Sequence, residues 1–213
     1  METPLSPEAI RVLGVLIEKE LTTPDYYPMT LNGLTNGCNQ KSNRDPVMML
    51  EESEVAAAIE ELVRARLAGH ASVAGSRAMK YRHAATEHWN MDVRQRSALA
   101  TLLLRGPQTI GEVKGHTARM ANFADLDETA DTLRHLRDME PSLVLQLPVQ
   151  RGKKEARIAH LLAGPIDVEA LEEESGVIID MTPKTSIRTE IDELKDRLEE
   201  LEAAFAAFRS QFE

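Results

Sequence analysis

The chain of 213 residues has a single cysteine, Cys38, so no disulfide can form within it. That fits a reducing compartment, and the cytoplasm is the expected location. Aromatic residues make up 4% of the chain, and the Ala, Leu and Glu content favours helix. No run approaches the roughly 18 to 20 uninterrupted apolar residues of a membrane span, so no membrane association is expected. The opening METPLSPEAI has neither a basic start nor an apolar core, so no secretory signal is expected there. A phosphate loop of the GxxxxGK[ST] type, a GxSxG nucleophile elbow and a GxGxxG dinucleotide fingerprint are all missing. Cys38 has no CxxC partner, and His70, His83, His88, His116, His135 and His160 show no paired ligand spacing, so neither metal nor cofactor is expected. Without a distinguishable catalytic set, the expectation is a protein that is not an enzyme.

The chain also lacks an overall basic excess, since its net charge is −10. That charge is unevenly spread. Residues 1–88 carry 9 Lys/Arg against 12 Asp/Glu, residues 89–163 carry 11 against 9, and residues 164–213 carry 5 against 14. The acidity therefore belongs almost wholly to the last fifty residues, and nucleic-acid binding by the first 163 stays open.

Two similar patterns occupy those 163 residues. In the first, Ser6-Pro7-Glu8 caps a helix whose core face carries Ile10, Leu13, Val15, Leu16 and Ile17. After a turn-rich break from Pro24 to Pro28, Thr30 caps a second helix with Leu31 and Leu34, ending near Gly37. A third helix is expected from about Ser53 to Leu67, followed by strands near 69–74 and 78–84. In the second pattern, Leu99, Leu102, Leu103 and Leu104 mark a helix that stops at Gly106-Pro107. Thr109 to Glu112 forms a capping-box pattern, Asp125 to Glu128 opens a third helix, and strands follow near 143–149 and 156–162. Three helices and a basic hairpin, used twice, give the winged-helix order.

The expected fold is thus mainly α with small β-hairpins (α+β): a first winged-helix domain over 1–88, a second over 89–163, an acidic linker over 164–183 and a coiled-coil helix over 184–213. In that last segment Ile187, Ile191, Leu194, Leu198, Leu201, Phe205, Phe208 and Phe212 alternate spacings of four and three, an a/d seam. Glu190 with Lys195 and Arg197 with Glu202 suit a parallel homodimer. An amphipathic helix folded back on the preceding domains is the other reading.

Three runs resemble the YceH-like proteins, a bacterial family: TLNGLTNGCNQKSNRDPV from Thr30 to Val47, LRGPQT from Leu104 to Thr109, and QRGKKEA from Gln150 to Ala156. With the spacing between them, the resemblance covers roughly residues 5–163. It implies a tandem winged-helix fold with a variable coiled tail, and it brings no catalytic or binding residues with it.

Winged helices commonly place the third helix in the major groove and the wing on phosphates. Here the third helices begin with Glu51, Glu52 and Glu54, and with Asp125, Asp127, Glu128 and Asp131, which are unsuited to a polyanion. Acids in a first turn also stabilise the helix dipole by about 0.3–1 kcal/mol each. The basic candidates lie elsewhere: Arg77, Lys80 and Arg82 on the first wing, Arg151, Lys153, Lys154 and Arg157 on the second, and Lys41, Asn43 and Arg44 in the polar loop Asn39 to Pro46. For the wings, phosphate binding competes with a merely solvated face. For the loop, binding competes with turn formation, with Asp45-Pro46 starting a short helix. Two functions are expected as alternatives: a dimeric, regulatory binder of double-stranded DNA, or a scaffold for a protein partner.

Overall fold

In the computed structural model, residues 4–72, 78–149 and 152–167 are described. They belong to one structural unit that extends to Leu171. Helix α1 spans Pro7–Thr22, and its start is fixed as expected: the Ser6 hydroxyl accepts from the Ala9 amide and Pro7 takes the first position. Ser6 is itself held from a distance, its amide and hydroxyl both donating to the Glu61 carboxylate at 2.8 and 2.6 Å.

Strand β1 (Met29–Thr30) leads directly into α2 (Leu31–Cys38), whose cap is Thr30. Helix α3 covers Glu52–Arg64, and β2 (Ala68–Ala71) and β3 (Lys80–His83) form an antiparallel hairpin. Because β1 pairs with the outer side of β3, the sheet order is β1-β3-β2. A short helix, α4 (Ala85–Trp89), links to the second half and carries Trp89 and then Met91 into the core.

The second half repeats the layout. Helix α5 (Val93–Arg105) opens on a capping box between Asp92 and Gln95. The Thr109–Glu112 box then starts α6 (Ile110–Thr117), and Asp125 caps α7 (Leu126–Asp138) by accepting from the Glu128 amide. Strands β4 (Val144–Gln146) and β5 (Ile158–His160) pair antiparallel. Gln108, directly before the α6 cap, bridges Ile158 of β5. It thus occupies the place that Met29–Thr30 holds before α2, so both halves share one connectivity of helix, edge pairing, two helices and hairpin.

The core is continuous across the halves. Helix α1 packs on α2 and α3 of its own half and, most extensively, on α5 of the other. The sequence predicts one apolar face, yet Ala9 to Glu18 are all buried. The second covering face belongs to α5, in which Ser97 to Leu104 are likewise all buried. Each enclosed Leu, Ile or Val contributes about 1.5–3 kcal/mol by leaving water. Close approach depends on Gly14: a Cβ there would meet Leu104 Cγ at 2.9 Å and Leu103 Cβ at 3.1 Å. A helical glycine costs about 1 kcal/mol against alanine, which the tight packing of two apolar helices offsets. The backbone ties the halves as well, with the Asp45 amide donating to Leu104 O at 2.9 Å and the Leu5 amide to Leu162 O at 2.8 Å.

Two expectations need correction. Asp45-Pro46 does not start a helix: residues 44 to 51 run irregularly to the α3 boundary, and the Asp45 amide is committed to Leu104. Helix α3 also ends at Arg64, three residues early, because Arg66 takes a positive φ of 60° and Leu67 turns inward to start the hairpin. The eight seam positions from Ile187 to Phe212, Glu190, Lys195, Arg197 and Glu202, and Arg77 and Arg151 lie outside the described residues. No helix among the described residues is long and apolar enough to cross a membrane.

Candidate nucleic-acid interface

The polar loop after α2 is closed by its own side chains. Asn39 imitates a backbone unit: its Nδ2 donates to Leu50 O at 2.8 Å, and its Oδ1 accepts from the Leu50 amide at 2.7 Å. Asn43 sits in the left-handed region at φ 59°, which asparagine tolerates better than most residues. Its Oδ1 accepts from Arg105 of α5.

Arg44, a candidate for binding phosphate, has another place in the structure. Its side chain has no exposure. Its guanidinium donates to Glu18 Oε2 at 2.6 Å and Oε1 at 3.2 Å, to Gly37 O at 3.1 Å, to Asn43 O at 2.8 Å and to Gln40 Oε1 at 3.1 Å. With its donors committed in the interior, Arg44 is a structural cation that anchors the loop to α1. Arg11, also buried, supports the same turn by donating to Cys38 O at 3.1 Å and Pro46 O at 2.7 Å. Composition does not distinguish either position from a surface arginine. The missing half of the signal is the buried Glu18 on α1.

The hairpins differ in how far their cations are free. Arg82 is exposed but pairs with Glu87 at 2.7 Å, which raises the guanidinium pKa and lowers that of the carboxyl. Arg157 donates to Pro107 O at 2.7 Å and reaches Glu112 at 3.3 Å, so it ties β5 to the start of α6. Glu112 is held below its ordinary pKa first by the Thr109 amide bond of its capping box, with Arg157 adding to the effect. In contrast, Lys153 and Lys154 are exposed just beyond Gly152, whose φ of 78° makes the turn. No side-chain partner holds Lys41, Lys80, Lys153 or Lys154 among the described residues.

The acids of the third helices have structural work. Glu54 accepts from the Glu51 amide at 2.8 Å, and Glu52 accepts from Asn32 Nδ2 at 3.1 Å, joining α3 to α2. Glu128 accepts from the Ala124 amide at 2.7 Å and pairs with Arg94 at 3.0 Å. Asp131 pairs with Arg134 one turn on. These helices thus present capped, acidic starts, with Met49 92% exposed beside the first of them.

Cys38 is fully buried, and desolvation pushes its thiol up to about 12, so it stays protonated at neutral pH. Among the described residues no group of three or more His, Cys, Asp or Glu is placed to hold a metal ion.

The family described as "Protein of unknown function, DUF480" matches residues 5–153. A UPF0502 protein of Geobacter metallireducens is 46% identical over 229 aligned residues, covering 100% of both chains. A UPF0502 protein of Geobacter sulfurreducens is 46% identical over 227 residues with the same coverage. One from Vibrio vulnificus is 42% identical over 214 residues, covering 95% of this chain and 97% of its own.

Proposed function

The chain belongs to the DUF480 family, and we propose that it is a tandem winged-helix protein of the kind the YceH-like resemblance implies, binding double-stranded DNA through its hairpin cations and the DNA phosphates. The observation that carries this reading is the pair of exposed, unpaired lysines at the tip of the second hairpin, Lys153 and Lys154. The duplicated connectivity and the β1-β3-β2 pairing support the winged-helix assignment. Lys80 and Lys41 add free cations on the first half. The capped, acidic starts of α3 and α7 argue against base reading by those helices, so binding rests on phosphates and depends steeply on salt. The role is regulatory rather than enzymatic, and cytoplasmic. Dimerisation through the Ile187 to Phe212 seam presents four modules and raises affinity through effective concentration.

Titration of the purified full chain into random-sequence duplex DNA across a salt series tests this. The Lys153→Glu/Lys154→Glu variant should bind more weakly to all sequences. The logarithmic salt slope should fall by roughly 0.9 for each phosphate that is no longer neutralised, so by about 2. An unchanged affinity and slope would sink the hairpin reading. A second reading, a protein-docking scaffold, is favoured by Met49 and Val47 standing exposed next to the acidic start of α3. Recovery of a stoichiometric, nuclease-resistant protein partner by the wild type but not by Met49→Glu would select it.

A further inference from the structure

Between the polar loop, α1 and the end of α6 lies a cleft of about 420 Å³, with Lys19, Lys41 and Arg119 in its walls. A narrower recess of about 30 Å³ shares Glu18, Thr22, Asn43 and Arg119 with it and adds Arg105, His116 and Thr101. Four permanent cations, Lys19, Lys41, Arg105 and Arg119, face one carboxylate, Glu18, which already receives two bonds from buried Arg44. The site is therefore strongly positive within a chain of net charge −10. Lys41 and Arg119 are exposed and have no side-chain partner among the described residues.

Thr101 gives an independent indication. The hydroxyls of Thr22, Thr35, Ser97, Thr117, Thr129 and Thr132 all donate to the carbonyl four residues earlier in their helices. Thr101, 2% exposed in the middle of α5, does not, and its Oγ1 has no hydrogen-bond partner. A buried hydroxyl left unpaired costs about 1–3 kcal/mol unless something outside the protein satisfies it. It lines the recess.

We propose that this cleft is a binding site for a small phosphate-bearing molecule, with the phosphate held by Arg119, Lys41 and Lys19 and a polar group of the ligand reaching Thr101. The walls carry Thr22, Gln40, Ser42 and Asn43 but no Phe, Tyr or Trp, the His116 imidazole standing only at the narrow recess, so they suit a compact, hydroxyl-rich phosphate rather than a stacked nucleobase. The site does not depend on the DNA reading and is tested without it.

The experiment is calorimetric titration of the full chain with inorganic phosphate, pyrophosphate and glucose 6-phosphate at constant ionic strength. At least one probe should bind saturably at one site per chain. Arg119→Glu and Lys41→Glu, both at exposed and unpartnered positions, should each weaken binding about tenfold or more, and Arg119→Lys should restore most of it. The same charge change at Arg137, on the surface of α7, should have no such effect. Thr101→Val should leave thermal stability unchanged or higher, because it removes an unsatisfied group, while lowering affinity severalfold. No saturable binding of any probe up to about 10 mM would overturn the proposal. So would equal losses in Arg119→Glu and Arg137→Glu. If Arg119→Glu weakens duplex DNA as much as it weakens the small probe, the cleft is a stretch of DNA phosphate path and the small-molecule assignment fails.

Discussion

Replacing Arg44 by methionine should destabilise the fold severely. The substitution removes five hydrogen bonds and leaves the Glu18 carboxylate, 11% exposed, with Lys19 at 3.6 Å as its one remaining ion-pair partner among the described residues. Stranding one member of a buried ion pair costs about 3–5 kcal/mol, far more than the pair adds over an apolar substitute. For a chain of this length each kcal/mol moves the melting temperature by about 2–4 °C, so the midpoint should fall by about 6–20 °C. Glu18→Leu/Arg44→Met removes both charges and should recover part of that loss, with a coupling of about 0.5–3 kcal/mol between the sites. Thermal and urea melts of the wild type, Arg44→Met, Glu18→Leu and the double variant, followed by circular dichroism, measure both quantities. A loss within about 0.5 kcal/mol for Arg44→Met, as for an ordinary surface change, would refute the interior role. Additive losses in the double variant would refute the pairing. An Arg44 that bound phosphate would behave oppositely, its replacement lowering the DNA salt slope by about one while leaving the melt in place.

Gly14→Val should cost about 1–3 kcal/mol in urea melts, because the new side chain meets Leu103 and Leu104 within van der Waals distance; a neutral result would mean that the two halves can separate freely. His160 is held near 4 by burial, below its ordinary 6.5. As pH falls, the unfolded chain takes up that proton first, so stability present above pH about 6.5 is lost progressively towards pH 4, by about 2 kcal/mol at pH 5 and about 3 in all. Urea midpoints at pH 7 and pH 5 should differ by that much more in the wild type than in His160→Gln, and an equal pH dependence in both would discount the histidine. Cys38 should react with a thiol reagent at the rate of unfolding rather than at the rate of a free thiol, and immediate labelling in the native state would contradict its burial.

The helix order is legible in the sequence because its signals are local. Ser6, Thr30, Thr109 and Asp125 announce helix starts through short-range bonds that residue type and spacing anticipate. Other features depend on distant partners. The edge strand Met29–Thr30 and the Gln108 bridge are too short to carry a two-residue alternation, and they exist only because β3 and β5 present an edge to them. Helix α1 reads as amphipathic, whereas its second buried face is defined by α5, some ninety residues on. Arg44 and Asn43 group with Lys41 in the sequence because all three sit in one polar loop. What separates them is depth, set by Glu18 and Arg105 on two different helices. The cleft leaves no sequence signal for the same reason: Lys19, Lys41, Arg105 and Arg119 are scattered along a hundred residues and are gathered only by the packing of the halves.

That packing also governs how the molecule can be varied. With α1 and α5 touching at Gly14, the distance between the paired strands β2–β3 and β4–β5 is set like the gap of a fixed caliper. Lengthening the segment around Trp89 would not retune it. Substitutions along the α1–α5 seam would. A fragment cut between the halves would bare the α1 surface at Gly14 and the Leu103 and Leu104 side chains that close on it, so neither half is a self-sufficient tool for dissecting the other.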